Sequence, residues 1–568
     1  HLRRALEWGT SRYRFDLGLA LERYDQVVPG TNGIVDDMVR SGILVPLGAL
    51  LDRLHGDTDS LVGGEQRIIG LGSRPMLFGQ YPGFATGTLR AAFTKKSLAS
   101  LGRGDIALVR EVPANMPPVA GIIRIGPPES LSHVALLALN LGIPYVVASG
   151  DANEALIALS GSKVVLGVSA KRRVIFGAMD SFPVGERAAL SNQGSRHTAL
   201  LPSKTVDLEF NRISTLDQLS DSDSGVRVGP KAAKLAHLAR LFPDRVAPAI
   251  VIPFGTFHRH VRQVGSRGRA PYKNLALAYG RARGKSDAAA ARIILPALAR
   301  VRRHIMNAPF PPGFEHEIRR ALEAMSGGQH AGFFVRSDTN VEDLPTFTGA
   351  GLNLTVQNQV DLDAILESIR RVWASAFSER AYRWRGRLLS DPLAVYPSVI
   401  LQRSIPSEFS GVLVTRDLSE DRRGSHTVSI GQGVGAVVDG RPAETLVVHS
   451  NGATTRLQSA RAVVYHRLAT PPAGGLSVRY SRAHDQILTP ARLAPLRKLT
   501  QEVVKKLSGP SSNAAWDIEF GMVGNKAWLF QLRPLALSST PLTHPILRDL
   551  DRRIRMPKGN LSLKELLP

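Results

Sequence analysis

The stretch Ala515-Trp516-Asp517-Ile518-Glu519-Phe520 and its return, Ala527-Trp528-Leu529-Phe530-Gln531-Leu532-Arg533-Pro534, decide how this chain is read. Val523-Gly524-Asn525-Lys526 between them is a turn sequence, so the segment predicts a β-hairpin. Strict alternation puts Ile518 and Phe520 on one face, with Trp528, Phe530 and Leu532 as the apolar face of the return strand. Asp517, Glu519, Gln531 and Arg533 are left on the other face. Two oxygen donors, Glu519 and Gln531, beside a guanidinium suit Mg²⁺ and a nucleotide phosphate. A solvated strand face carrying a surface ion pair has the same pattern, and the hairpin alone leaves both readings open.

Composition narrows the rest. A chain of 568 residues predicts about three domains, and 43% hydrophobic residues with a mean hydropathy of −0.05 allow sizeable cores. No cysteine is present, which excludes disulfides, thiolate zinc sites and cysteine nucleophiles and leaves the redox compartment open. No apolar run is long enough to span a bilayer. The sequence starts at His1 without a signal-like apolar core, so a fragment or processed form is expected. The net charge of +24 and pI of about 10.7 favour polyanionic partners. The charge is mostly dispersed arginine, and the clusters Lys171-Arg172-Arg173 and Arg552-Arg553-Ile554-Arg555 are short. With no zinc finger or RNA-recognition signature, nucleic acid is disfavoured as a partner.

Periodicity divides the chain into a helical segment (1–66), a compact α/β domain (67–188), a polar linker (189–225), a larger α/β region (226–540) and a basic tail (541–568). The larger region includes an amphipathic helix predicted over 361–385.

Four further segments carry candidate chemistry. Gly126-Pro127-Pro128-Glu129-Ser130-Leu131-Ser132-His133 predicts a loop opening a helix, with His133 in the first turn. A phosphoryl group on His133 would be stabilised by unpaired backbone N–H groups there, though a histidine at the start of a core helix is equally a structural residue. Val228-Gly229-Pro230-Lys231 places Lys231 near a helix start, within reach of phosphate oxygens or merely solvated. Phe333-Phe334-Val335-Arg336-Ser337-Asp338 ends a buried strand on an arginine suited to a triphosphate clamp, or to an ion pair with Glu342 or Asp343. Gly431-Gln432-Gly433-Val434-Gly435 superficially matches a dinucleotide fingerprint, but no helix-forming run follows, so that reading is rejected. A glycine loop near phosphate and an ordinary hairpin turn stay open, and no Walker lysine is present.

Taken in order, these segments resemble the dikinase family of pyruvate phosphate dikinase, phosphoenolpyruvate synthase and the glucan water dikinases. The similarity runs through Val228 to Lys231, Arg336-Ser337 with Glu342-Asp343-Leu344, the hinge strand Val399-Ile400-Leu401-Gln402-Arg403, Gly411 to Asp417, Asp517 to Glu519, and Gln531 to Pro534. Tyr81 to Gly87 and Leu131-Ser132-His133-Val134 resemble the family's phosphohistidine domain, and its position ahead of the nucleotide domain resembles the glucan water dikinases. The resemblance implies an α/β multidomain protein: an ATP-grasp-like nucleotide-binding domain, a swivelling phosphohistidine domain and the helical N-terminal segment. It implies His133, Arg336 and Arg533 as catalytic residues. ATP would be held by Lys231, Arg336, Ser337, Gln402, Arg403, Ser404, Gly431, Gly433 and Arg533, and Mg²⁺ by Glu519 and Gln531. The implied reaction moves the β-phosphoryl of ATP through His133 to an acceptor hydroxyl, releasing AMP and phosphate. An α-glucan is the expected acceptor, with Trp8, Tyr13 and Tyr24 as candidate sugar-stacking residues, and a small molecule or a nucleotide-binding regulator are the alternatives. A soluble protein of the cytoplasm or a plastid-like compartment is expected. Two positions depart from the family pattern: Leu139 stands where an arginine is usual, and Val434 where an acid is usual.

Overall fold

Three sheets organise the chain in a computed structural model that describes, with gaps, residues 17–54 and 66–554. The segments 1–16, 126–137, 192–204, 342–353, 536–543 and 555–568 are among those outside the described residues. His133, Leu139, Glu342, Asp343, Leu344, Trp8 and Tyr13 therefore lie outside them, while Tyr24 is exposed. Among the described residues no helix is long and apolar enough to cross a membrane.

The first sheet has eight strands: β1 (Arg67–Ile68), β2 (Met76–Tyr81), β3 (Gly83–Ala91), β4 (Asp105–Val109), β5 (Gly121–Ile125), β6 (Tyr145–Ser149), β7 (Lys163–Val168) and β8 (Val174–Ala178). Their order is β1-β8-β7-β3-β4-β5-β6-β2, with β3, β4, β5 and β6 mutually parallel. Parallel strands are covered on both faces, which explains why Ile106-Ala107-Leu108-Val109 is apolar without alternation and wholly buried.

The second sheet, β9 (Ser214–Thr215), β10 (Ala249–Ile252), β11 (Phe333–Thr339), β12 (Thr355–Gln359) and β13 (Pro397–Arg403), is antiparallel in the order β12-β11-β13-β10-β9. The stretch read as a linker thus reaches into this sheet. Ser214 pairs with Val251, and Leu216 and Leu219 enter the core, because two apolar side chains in a polar run suffice to anchor it.

The third sheet takes β14 (Phe409–Val414), β15 (His426–Gln432), β16 (Glu444–Val448) and β17 (Thr454–Gln458). A separate hairpin, β18 (Val464–Leu468) with β19 (Leu476–Tyr480), follows. β20 (Trp516–Val523) and β21 (Lys526–Pro534) then complete the sheet in the order β17-β16-β15-β14-β20-β21.

Five helices bear on the argument: α1 (Pro230–Leu241), α2 (Leu362–Ser375), α3 (Glu379–Leu388), α4 (Pro490–Leu507) and α5 (Pro545–Arg552). Helix α1 starts cleanly because Pro230, in the first turn, fixes φ and needs no N–H partner there. It buries Ala232, Leu235, Ala236 and Leu238 in the core of the third sheet. The single helix expected over 361–385 is two. Asp361 caps α2 by accepting from Ala364 N at 3.0 Å, and the chain turns at 376–378, where Phe377 is buried in a stack on Phe257. The tail is likewise not wholly solvated. Leu547 and Leu550, one helical turn apart in α5, pack against Phe84, Val165 and Ile175 of the first sheet. Lys171 Nζ donates to Asp551 O at 3.2 Å beside them.

Candidate active site

The chain passes directly from β13 of the second sheet to β14 of the third, and residues from both line a cavity of about 160 Å³ at this crossing. Phe334, Arg336, Thr355, Gln357, Gln402 and Arg403 form one wall. Ser410, Gly411, Val434, Gly435, Val438, Glu519, Phe520 and Phe530 form the other, and Ile405 and Ser407 lie on the connection.

Arg336 joins the walls. Its Nη1 donates to Gln402 Oε1 on its own sheet and to Phe530 O on the other, each at 2.8 Å, and its Nη2 donates to Gln531 Oε1 at 3.0 Å. A planar guanidinium reaches the three acceptors from two nitrogens in one rigid fork, whereas an ammonium offers its donors from a single nitrogen. The bonds also fix both amides, turning their carbonyls towards Arg336. Gln402 is 3% exposed, and its buried Nε2 has no hydrogen-bond partner among the described residues. A buried amide N–H₂ aimed this way calls for an acceptor from a bound molecule.

The hairpin brings the four polar residues together as expected at its chemical end, but its apolar face differs towards the turn. Asp517 opposes Arg533 and Glu519 opposes Gln531, but the register then shifts, so that Phe520 opposes Leu529. Phe530 is the extra residue of this bulge. The parity of the return strand changes there. Leu529 and Ala527 enter the core with Ile518, Phe520 and Leu532, while Phe530 moves to the cleft. The predicted apolar face of Trp528, Phe530 and Leu532 is therefore corrected, because alternation counted from one end fails at a bulge.

Arg533 sits behind the cleft. Its Nε donates to Asp517 Oδ2 at 3.1 Å, and its Nη2 lies 2.8 Å from the same oxygen and 3.2 Å from Glu519 Oε1. It is 3% exposed and does not line the cavity, so its charge answers the two carboxylates of its own hairpin. Replacing Arg533 would leave two buried carboxylates without a countercharge.

Lys231 is near the start of α1, as expected, and its Nζ lies 3.5 Å from Ser337 O. The start of α1 already holds an anion from the chain: Asp338 Oδ1 accepts from Lys231 N at 3.1 Å and Oδ2 from Ala232 N at 2.9 Å. Gly229 admits this carboxylate, since a Cβ there would collide with it. Asp338 was not singled out from the sequence, because its partner is more than a hundred residues away and no local pattern marks it.

The remaining expected residues divide between lining and support. Gln402 and Arg403 line the cavity, and Ser404 and Ser337 do not. In the glycine loop, Val434 and Gly435 line it, whereas Gly431, paired with Ser410 inside β15, and Gly433 do not. Gly433 has φ +75°, and a Cβ on it would collide with His466 O. Phe334, Thr355, Gln357 and Phe530 are cleft residues missed in the sequence, and only strand parity could have suggested them.

Glu519 and Gln531 fit a hard cation as a pair of oxygen donors on neighbouring strands. Among the described residues no group of three or more His, Cys, Asp or Glu could hold a metal. A Mg²⁺ ion held by two such donors would complete its shell with water and phosphate oxygens.

Comparison with known proteins gives a consistent picture. A family model described as pyruvate phosphate dikinase, AMP/ATP-binding domain, matches residues 226–553. A rifampicin phosphotransferase from Streptomyces sp is 28% identical over 321 residues, covering 56% of this chain and 35% of that protein. The rifampicin phosphotransferase of Streptomyces sviceus is 30% identical over 323 residues, covering 56% of this chain and 35% of that one. The phosphoenolpyruvate synthase of Pyrococcus furiosus is 24% identical over 265 residues, or 44% of this chain and 32% of that protein. The chain spans about a third of the length of these curated relatives.

Proposed function

The chain belongs to the family of the pyruvate phosphate dikinase AMP/ATP-binding domain, and from that premise we propose that it is an ATP-dependent phosphotransferase of the dikinase type. The observation that carries the proposal is Arg336, which binds Gln402 on one wall and Gln531 on the other at the edge of a cleft between two sheets. This two-walled arrangement supports an ATP-grasp-like site. Gln402 Nε2 donates to the nucleotide, Arg336 and Lys231 offset phosphate charge, and Arg533 positions Glu519 rather than touching phosphate. Glu519 and Gln531 would hold Mg²⁺, which when bound spreads the charge of the phosphates. Each of these side chains already accepts an arginine N–H, so the cation must share or displace those bonds.

In the proposed reaction the β-phosphoryl passes from ATP to His133, with release of AMP and of the γ-phosphate to water or phosphate. A phosphohistidine domain that swivels on its connections then delivers the group to an acceptor hydroxyl, whose proton is lost. We place a small-molecule acceptor ahead of an α-glucan, because the relatives are rifampicin phosphotransferases and phosphoenolpyruvate synthases. The α-glucan reading rests on domain order and on short segments, Leu131-Ser132-His133-Val134 and Asn340 before Val341, that resemble the glucan water dikinases.

The test is incubation with Mg²⁺ and ATP labelled at the β-phosphorus. Acid-labile, base-stable label on the wild-type chain, absent from His133→Ala and accompanied by AMP, is the expected result. Binding of ATP with no label would refute the phosphohistidine route. Labelled protein would then be challenged with rifampicin, pyruvate and α-glucan, and transfer only to the glucan would reverse the order of acceptors.

A further inference from the structure

The β18–β19 hairpin belongs to neither large sheet, yet it is bonded to both walls of the cleft. On the side of the third sheet, Val434 N donates to His466 O at 2.8 Å, and Gly433 forms a bridge with His466. Arg441 holds the ring of His466 through Nδ1. Val434 is itself a lining residue.

On the side of the second sheet one residue makes the attachment. Asn358 Nδ2 donates to Gly475 O at 2.9 Å and to Ala469 O at 3.2 Å, and Gly475 N donates back to Asn358 O at 2.7 Å. Asn358 is 3% exposed and has φ +49°, a left-handed conformation shared by only one other non-glycine residue among those described. It lies where the β11–β12 register slips: Phe333 opposes Gln359, whereas Val335 opposes Val356. Two residues, Gln357 and Asn358, thus face one, which is a β-bulge beside the cleft. The bulge sends Asn358 to the hairpin while its neighbour Gln357 lines the cavity.

We infer that β18–β19 is a strap across the cleft and that Asn358 is its latch, a positioning residue that governs how fast a bound nucleotide leaves. This rests on the cleft being the nucleotide site. With the latch made, the glycine loop and β12 are held at a fixed separation by a third element. With it broken, the 404–408 connection, the Arg336 fork and the shared core still join the sheets, but the glycine loop and β12 lose this common support. An asparagine serves because it tolerates positive φ and carries a donor for carbonyls it could not otherwise reach.

The test uses the full chain and two variants. Asn358→Gly keeps the left-handed backbone and deletes both side-chain bonds. Asn358→Asp keeps the shape and replaces the donor with an acceptor against two carbonyls, so it carries the test if the glycine variant fails to fold. ATP association and dissociation are measured by stopped flow, and amide hydrogen exchange is followed over 464–480. Loss of two hydrogen bonds predicts dissociation about tenfold faster, association nearly unchanged, and faster exchange in the hairpin. ATP in turn slows hairpin exchange in the wild type. Dissociation within about twofold of wild type in a folded variant overturns the latch, as does hairpin exchange that ignores both the substitution and ATP. A wild-type chain that does not bind ATP would instead overturn the nucleotide reading, and the strap's role falls with it.

Discussion

Replacing Arg336 by lysine keeps the charge and removes the fork, which isolates the geometric part of its role. The guanidinium satisfies three acceptors at 2.8, 2.8 and 3.0 Å on two strands of different sheets. A lysine ammonium on a single stem retains at most one of them. Hydrogen bonds to charged groups contribute about 1.5–3 kcal/mol each, and two are lost. Gln402 and Gln531 are 3% and 6% exposed, so water recovers only part of the loss, and about 2–4 kcal/mol of local stability should disappear. Several sheets make a single unfolding free energy ill-defined, so the assay is native-state hydrogen exchange over 397–403 and 526–534, read against ATP affinity from calorimetry. Exchange in both strands should accelerate on the order of thirtyfold or more, with ATP affinity falling on the order of tenfold as the two amides lose their orientation. Unchanged protection on β21 would refute the bridge, and unchanged affinity alongside lost protection would refute the claim that it shapes the site.

Burial first, and the nearby Arg497 second, push the His426 imidazole down to about 4. A histidine kept neutral in the fold stabilises fully above its unfolded value of about 6.5 and loses that stability as pH falls towards 4, about 3 kcal/mol in all. Native-state hydrogen exchange over 426–432, corrected for intrinsic rates, should show this difference between pH 7.5 and 4.5 in wild type and a smaller one in His426→Gln; equal pH dependence in the two would remove the assignment. Gly433→Ala meets His466 O and an unfavourable φ together, so binding of ATP should weaken on the order of tenfold or more by calorimetry. Leu547→Ala empties a fully buried position between α5 and the first sheet and should cost about 2–4 kcal/mol, seen as faster exchange in β3 and β7 rather than in β20.

What the sequence revealed depended on how local each signal is. Alternation located β20 and β21 and put Glu519 and Gln531 on one face, because side chains two apart share a face, while the register that sets them opposite each other came from the structure. It misplaced Phe530 because one extra residue reverses parity without altering composition. Arg336 stood out as a polar residue closing an apolar run and Gln402 only through the family resemblance, and nothing local told that one binds the other, since 66 residues separate them. Asp338 at the start of α1 was invisible for the same reason. The amphipathic run over 361–385 was legible as helix and not as two helices, since the break follows from Phe377 packing on Phe257, a tertiary event. The docking of α5 was hidden by the arginines around Leu547 and Leu550, which make the tail look solvated as a whole.

That docking makes the first sheet discontinuous in sequence, and synthesis is directional. Strands β1 to β8 leave the ribosome early, with Phe182 and Leu190 already available to the face formed by Phe84, Val165 and Ile175, but Leu547 and Leu550 complete its cover only roughly 350 residues after the helix Val184–Ser191. At about 5–20 residues per second, the part of this face that α5 covers waits some tens of seconds for it. The chain's own translation therefore contains an interval in which an early-folding unit is a target for chaperones, and excision of residues 66–191 as a separate fragment would make that interval permanent.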